Sequence, residues 1–343
     1  MEFDKKEIIL DYKPTSCTIN IEGGCNYSCE YCGYHGKSRT TYKKKKLYRL
    51  SFEKVKEQID ILKGFGITHF NICATGEPFL NSDIFKIFDY IKELGCTSSV
   101  LSNASNVITK YLDEIIDVDL TYFATDLDSS NAQTFKEIQG KDQFDIWYDN
   151  IKMLVALKDK KKSKTKILIW TIINQDTFDE LDEMLNICIE LGVDEWHLNP
   201  LMGEDSVDYV TNERSMINER EKVAHKIQKL RKKALENNIV FHWPRYFNLD
   251  IDPYSELYCN NPWRESMMIN VPLPDDKPGD NIGRVVLGCT AKKSIDYNLG
   301  NIHIDSFEQI WNGSEYQRLR KNVLNDCDVE CLKDCMNHKF VKL

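Results

Sequence analysis

The stretch Cys25-Asn26-Tyr27-Ser28-Cys29-Glu30-Tyr31-Cys32 sets three thiols in a CxxxCxxC spacing. It follows the alternating run Cys17-Thr18-Ile19-Asn20-Ile21, and Gly23-Gly24 breaks that run just before the first thiol. The local reading is a short strand that ends in a loop of soft ligands. Three thiolates on one loop can hold three corners of a 4Fe–4S cluster and leave the fourth iron open to an exogenous molecule. Zinc is the alternative. A closed zinc site takes four ligands, usually from CxxC pairs, and this loop offers three at unequal spacing.

Downstream, the hydrophobic period switches repeatedly between helix and strand. Phe52, Val55, Ile59 and Leu62 mark a helix face, with Ser51 as its N-cap and Gly64 and Gly66 at its end. A strand is predicted over Thr68–Cys73, then a helix with Ile84, Phe88 and Ile91 behind a Ser82 cap, then a strand over Thr97–Leu101. A helix over Val107–Ile116 and a strand over Leu120–Thr125 follow. Phe144, Trp147, Ile151 and Leu154 mark the next helix, and Lys158–Lys166 reads as a charged loop. Ile167–Ile173, Phe178–Leu191 and Glu195–Leu198 read as strand, helix and strand. Six strands separated by helices imply a parallel sheet covered by helices, with its site at the strands' carboxyl ends. The cysteine loop lies at such an end. Residues 206–238 read as a long polar helix buried along Val223, Ile227, Leu230 and Ala234.

At 343 residues the chain is too long for one ordinary core, which predicts a large domain and a smaller one. A net charge of −9 excludes a general nucleic-acid binder, which needs a basic footprint. The run Lys43-Lys44-Lys45-Lys46 is a local exception and reads as a solvated loop. No apolar run approaches the ~18 residues of a membrane span. The start, Met1-Glu2-Phe3-Asp4-Lys5-Lys6-Glu7, lacks the apolar core of a signal peptide. A cytoplasmic location is therefore expected, with the 12 cysteines serving as thiols or metal ligands rather than disulfides.

CxxxCxxC with an aromatic residue before its last Cys resembles the signature of the radical S-adenosylmethionine enzymes. The resemblance implies that Cys25, Cys29 and Cys32 bind a 4Fe–4S cluster whose open iron is chelated by the methionine part of S-adenosylmethionine. An electron from the cluster would then cleave the sulfonium, and the resulting 5′-deoxyadenosyl radical would take a hydrogen atom from substrate. The resemblance also implies that Tyr31 lies near the adenine. Gly76 and Glu77 match a Gly-Gly-Glu-Pro motif that receives the methionine amino group, with Thr75 in place of the first Gly. Asn103 stands at the third strand end, and Asp126 of Asp126-Leu127-Asp128 would accept ribose hydroxyls. Gln139-Gly140 falls where relatives carry Arg-Gly, which leaves the carboxylate contact unassigned. The implied fold is α/β: a partial (β/α)6 barrel over residues 14–205, after an extension at 1–13. A helical linker at 206–254 and a smaller irregular iron–sulfur domain at 255–343 would follow.

Two further residues are candidates for the chemistry itself. His197 shares a strand face with Asn199, opposite Trp196 and Leu198, and is either a substrate-site residue or a core histidine. Cys73 lies near the same rim and is either a hydrogen-atom donor or a small buried hydrophobe. Cys188, on an apolar helix face, reads as core.

Beyond residue 255 the βα rhythm stops and thiols return at Cys259, Cys289, Cys327, Cys331 and Cys335. They argue for a second metal site. The text around them includes Pro262-Trp263, Gly300-Asn301, Phe307-Glu308-Gln309-Ile310-Trp311 and the pair Arg318 and Arg320. It resembles the auxiliary-cluster extension of the same family, called SPASM or, in a shorter form, twitch. Relatives close with CxxC, whereas this chain spaces its last thiols by three residues. A set for two auxiliary clusters needs more thiols than these five. One auxiliary 4Fe–4S cluster is therefore expected, on Cys259, Cys289 and two of the last three, with Cys331 and Cys335 favoured; structural zinc is the alternative.

The leading function is hydrogen abstraction in the oxidation, epimerisation or cross-linking of a peptide or natural-product intermediate. Dehydrogenation or epimerisation of a sugar or aminocyclitol is the alternative. A non-enzymatic zinc or iron–sulfur electron-transfer module is a second class. The stretch before the first strand is too short for the leader-binding domain of many peptide-modifying relatives, which weakens the peptide reading. An electron donor such as flavodoxin or ferredoxin is the implied partner.

Overall fold

Short runs that alternate apolar and polar side chains pair side by side into one sheet. The computed structural model describes residues 7–37, 48–73, 75–201, 214–250, 263, 266–271, 279–286 and 298–324. Its strands are β1 (Ser16–Asn20), β2 (His69–Cys73), β3 (Thr97–Leu101), β4 (Tyr122–Asp126), β5 (Lys166–Ile173), β6 (Glu195–Pro200), β7 (Val240–His242), β8 (Ser266–Ile269), β9 (Arg284–Val286) and β10 (Gly300–Asn301). The order across the sheet is β10-β9-β8-β1-β2-β3-β4-β5-β6-β7. Pairing is parallel from β8 to β7, and antiparallel between β8 and β9 and between β9 and β10. Among the described residues β7 and β10 remain the two edges, so the barrel is partial.

Helices α1 (Phe52–Phe65), α2 (Ile84–Glu93), α3 (Leu112–Asp117), α4 (Ala132–Gln139), α5 (Phe144–Lys161) and α6 (Leu181–Leu191) connect β1 to β6. Helix α7 (Arg220–Glu236) leads into β7, and α8 (Phe307–Trp311) and α9 (Ser314–Leu324) follow β10. The strand period sorts the two sheet faces. Ile19, Phe70, Ile72, Phe123, Ile169 and Trp196 point to the helices and are wholly buried with Val55, Ile59 and Leu62 of α1. Each such side chain contributes roughly 1.5–3 kcal/mol. The opposite face carries Thr18, Asn71, Cys73, Tyr122, Asp126, Trp170, His197 and Asn199, all half-buried. This open face lies beneath the strand-end loops.

The six strands predicted from β1 to β6 are present, each within two residues of its expected bounds. Several local expectations are corrected. Ser51 stands at the N-cap of α1 in extended backbone as expected, but its side chain makes no capping bond; the Asp83 carboxylate accepts the Phe52 N–H at 3.1 Å. Ser82 does not cap α2; Asn81 fastens that turn, accepting from Asp83 N and donating to Ile21 O and Leu50 O. The first half of Val107–Ile116 is not α-helical: Thr109–Tyr111 is a 3-10 turn and α3 begins at Leu112. The lysines after residue 157 are not a loop. Helix α5 continues to Lys161, since Lys is a good helix former and favours the carboxyl end of the helix dipole. Lys158 also pairs with Asp194 at 2.5 Å. The long polar helix starts at Arg220 rather than 206, with residues 202–213 outside the described set, and Val223, Ile227, Leu230 and Ala234 are buried as expected.

The sheet also continues past the six strands. β7 adds to β6, and β8 adds to the far side of β1, so the C-terminal segment joins the sheet through β8. Asn270, at a positive φ of 65°, locks this junction. Its amide donates to Asn20 O and Gln58 Oε1 and accepts from Gly283 N. Arg320 is fully buried against Trp311 and Tyr316 and donates to Ile8 O, which ties α9 to the N-terminal residues. No helix among the described residues is long and apolar enough to cross a membrane.

Candidate cluster and cofactor site

The cysteine loop leaves β1 and is clamped from both sides by backbone. Glu77 N donates to Gly24 O at 2.7 Å, and a Cβ on Gly76 would lie 1.8 Å from that same oxygen. On the other side, Ser28 N and Glu30 N donate to Gln139 O and Ile138 O at the end of α4. Gly140 there has φ 71°, and a Cβ on it would lie 2.3 Å from Ser28 Oγ and 2.8 Å from Ser28 O. Such contacts admit only glycine. The Tyr27 ring packs edge-on against Phe135 of α4. Gly76 thus packs directly against the backbone of Gly24.

Residues of the strand ends divide by task. The Glu77 side chain is buried and accepts from Phe79 N, Ser102 Oγ and Asn103 N, so it braces the loop after β3. Burial pushes its carboxyl up to about 7, against the pull of those donors. Asn103 donates to Asn26 Oδ1 at 2.9 Å and contacts Cys25 Sγ at 3.8 Å, while its Oδ1 accepts from Ser105 N. Both side chains are engaged with the protein and position the cysteine loop. Tyr31 donates its hydroxyl to Asp128, and its ring packs near Ile138, Ile172 and Leu201. Asp128 also accepts from Ile172 N at 2.7 Å. Asp126, at the end of β4, has no hydrogen-bond partner among the described residues. Burial, then Asp128 and Glu77, push its carboxyl up.

The three thiols suit a cluster. Burial comes first in pushing Cys25 up to about 12 and Cys29 well above the usual thiol range, and Cys32 repels both. The described surroundings supply carboxylates, Glu77 near Cys25 and Asp126 and Asp128 near Cys29, and no cation. Three thiolates here need positive charge from bound iron. Amide donors are already aimed at sulfur: Tyr27 N to Cys25 Sγ at 3.4 Å and His35 N to Cys32 Sγ at 3.3 Å. Such donors tune iron–sulfur clusters.

His197 lies on the open face, not in the core, and its Nε2 is 2.9 Å from Glu195 Oε2. Cys73 is half-buried on the same face, beside its register partner Asn20 of β1. Cys188 is core. Cys259, Cys289, Cys327, Cys331 and Cys335 lie outside the described residues. Of the text around them, Trp263 donates to Glu7 O, Trp311 to Tyr12 O, and Arg318 pairs on the surface with Glu315. Sequence reasoning missed the clamping roles of Gly24 and Gly140 and the bond of Asp128 to Tyr31. Gly140 was legible as a helix C-cap glycine; its contact with Ser28 spans more than a hundred residues and leaves no local signal.

The family model described as Radical SAM superfamily matches residues 19–186, and that described as an iron-sulfur cluster-binding domain, SPASM, matches residues 280–336. A probable GTP 3',8-cyclase of Sulfurisphaera tokodaii is 26% identical over 252 residues, covering 70% of this chain and 74% of that protein. An S-adenosylmethionine-dependent nucleotide dehydratase of Selenomonas ruminantium is 25% identical over 183 residues, 52% of this chain and 63% of that protein. The crystal structure of Streptococcus suis SuiB bound to S-adenosylmethionine superposes with a TM-score of 0.72 at 15% identity, covering 98% of this chain and 73% of that one. Native anSMEcpe with bound AdoMet and Cp18Cys peptide gives 0.62 at 15% identity, over 94% of this chain and 86% of that one. The two structures share the fold.

Proposed function

Because the chain belongs to the radical S-adenosylmethionine superfamily and carries a SPASM iron–sulfur cluster-binding domain, we propose that it abstracts a hydrogen atom from a peptide or peptide-like natural product and oxidises, epimerises or cross-links it. The radical SAM domain brings a 4Fe–4S cluster and S-adenosylmethionine, and the SPASM domain brings auxiliary iron–sulfur chemistry. When bound, that pair of cofactors supplies a carbon-centred radical on one-electron reduction. The protein binds, orients and shields. Cys25, Cys29 and Cys32 would hold the first cluster, and Tyr31, the backbone at Gly76 and Asp126 would receive S-adenosylmethionine. Glu77 and Asn103 would act through the loop that they brace. A flavodoxin or ferredoxin is the proposed electron donor.

The observation that supports a peptide-like substrate is the chemistry of the open face. From β1 to β7 it offers Asn20, Asn71, Asn199, Ser99 and Thr18, and Lys166 is its one lysine or arginine among the described residues. That lysine is already paired with Glu195 at 2.9 Å. Amides and hydroxyls match a peptide backbone, whereas a nucleotide polyphosphate calls for a cluster of cations. SuiB with its precursor peptide SuiA and anSMEcpe with its peptide share this fold across nearly the whole chain. The same amides and hydroxyls favour a second reading, a sugar or aminocyclitol. The test is reduced, cluster-reconstituted enzyme with deuterated peptides or polyols. Label appearing in 5′-deoxyadenosine only with peptide supports the first reading. Label from polyols alone overturns it.

Loss of the Asp126 carboxyl should remove a buried acceptor worth about 0.5–1.5 kcal/mol, which is roughly 2- to 10-fold in affinity. Asp126→Ala is expected to weaken S-adenosylmethionine binding by that factor in calorimetry, with iron content unchanged. Unaltered binding would sink the ribose role.

For the auxiliary site, one cluster on Cys259, Cys289 and two of the closing thiols is proposed. Cys259→Ala and Cys289→Ala should each lower iron by up to about four per chain, because a cluster that loses a thiolate must recruit water or another side chain. Among Cys327, Cys331 and Cys335, two replacements should be damaging and one tolerated. Uncoupled S-adenosylmethionine cleavage should survive, and product formation should fall. All three closing thiols proving dispensable would count against the site.

A further inference from the structure

We propose that Glu195, His197 and His242 form a mononuclear site for a divalent transition-metal ion, with zinc as the reference ion, on the open face of β6 and β7. The site is separate from both sets of thiols and does not depend on the peptide reading. Register creates it. His197 and His242 are direct partners across β6 and β7, and Glu195 stands two residues before His197 on the same face. Their ligand atoms all lie within 4.8 Å of one another. Zinc bonds of about 2.0–2.2 Å to nitrogen and carboxylate oxygen bring tetrahedral ligands to roughly 3.5 Å apart, a short rotamer adjustment from this arrangement. His242 is exposed and free to make it.

The surroundings prepare the ligands. Lys166 Nζ holds Glu195 Oε1 at 2.9 Å, which leaves Oε2 facing His197 Nε2 at 2.9 Å. An outer partner that fixes one carboxylate oxygen orients the other for a metal. The His197 and His242 rings meet edge-on with centroids 4.3 Å apart. Two histidines and one carboxylate leave coordination positions open for a further ligand. Trp170 is the register partner of His197 on the other side, and its buried indole N–H has no acceptor among the described residues. Asp126 comes next along the row.

The test uses full-length, cluster-reconstituted enzyme, treated with a chelator, given zinc and desalted, with zinc and iron measured by mass spectrometry. Wild type should retain about one zinc per chain beyond its iron. His242→Ala should lower zinc affinity by at least ~10- to 100-fold with iron content and circular dichroism unchanged. His242 is exposed, so its truncation leaves the core intact. Anomalous scattering at the zinc edge should place the ion among the three side chains. Equal zinc in wild type and His242→Ala, no retained zinc, or a scattering peak at the thiols instead would each overturn the proposal.

Discussion

Simultaneous replacement of Cys25, Cys29 and Cys32 by Ala is expected to remove about half of the bound iron and all reductive cleavage of S-adenosylmethionine. The thiols are half-buried on a loop held by its backbone, not by sulfur. Gly24 O and the amides of Ser28 and Glu30 would still make their bonds to Glu77 N, Gln139 O and Ile138 O. The variant should therefore fold, and its circular dichroism should match wild type. What it loses is the set of soft donors, which no neighbouring residue can replace; the described neighbours of these sulfurs are carboxylates, amides and an aromatic ring. Iron and sulfide assays on anaerobically purified protein, with chromatography of 5′-deoxyadenosine after reduction, decide the matter. Retained cleavage would refute the assignment. A wild-type protein that holds zinc without sulfide and cleaves no S-adenosylmethionine would instead revive the non-enzymatic module that the spacing alone left open, a class that the match to the radical SAM superfamily sets aside.

How much of this was readable in the chain follows from the range of each interaction. β1 to β6 were legible because short β-rich runs recur between helical periods and their outward residues, such as Ile19, Ile72, Phe123 and Trp196, must be apolar to meet the helices. β7 and β8 were not: each has three or four residues, too few to display a period, and β8 is defined by pairing with β1 some 250 positions away. Capping failed for the same reason. Ser51 does take the N-cap position, yet the first amide of the helix, Phe52 N–H, is accepted by Asp83 from another turn. Lys158 to Lys161 looked like a loop by charge, but helix propensity and the partners Asp194 and Asp117 decide there. His197 shows the limit for sites. Its face was legible from the two-residue period, whereas its partner His242 sits on a strand too short to see.

Among the described glycines around the cysteine loop, Gly76→Ala is expected to have the largest effect. A Cβ there would lie 1.8 Å from Gly24 O, 2.3 Å from Gly24 C and 2.9 Å from Gly24 N. All three are backbone atoms, so no side chain can swing aside, and one of the two loops must move. Overpacking of this kind costs about 1–3 kcal/mol, and the density of contacts puts this position at the upper end. The function should suffer more than the fold. Gly24 is bonded to Cys25, so a shift of the order of 1 Å carries a cluster ligand with it, and misplacement on that scale costs roughly 100-fold in rate. Gly140→Ala should act in the same direction and more weakly. Its nearest clash is with Ser28 Oγ, which can rotate, although Ser28 O at 2.8 Å and the φ of 71° remain. Gly64→Ala supplies the control. That residue lies inside α1 with nothing within 4 Å of its added carbon, and the change should be neutral or stabilise by up to about 1 kcal/mol. Thermal unfolding, iron per chain and 5′-deoxyadenosine formation should rank the variants Gly64→Ala, Gly140→Ala, Gly76→Ala in order of increasing damage. A Gly76→Ala protein with wild-type iron and wild-type cleavage would show that the clamp on Gly24 does not set the position of the cysteine loop.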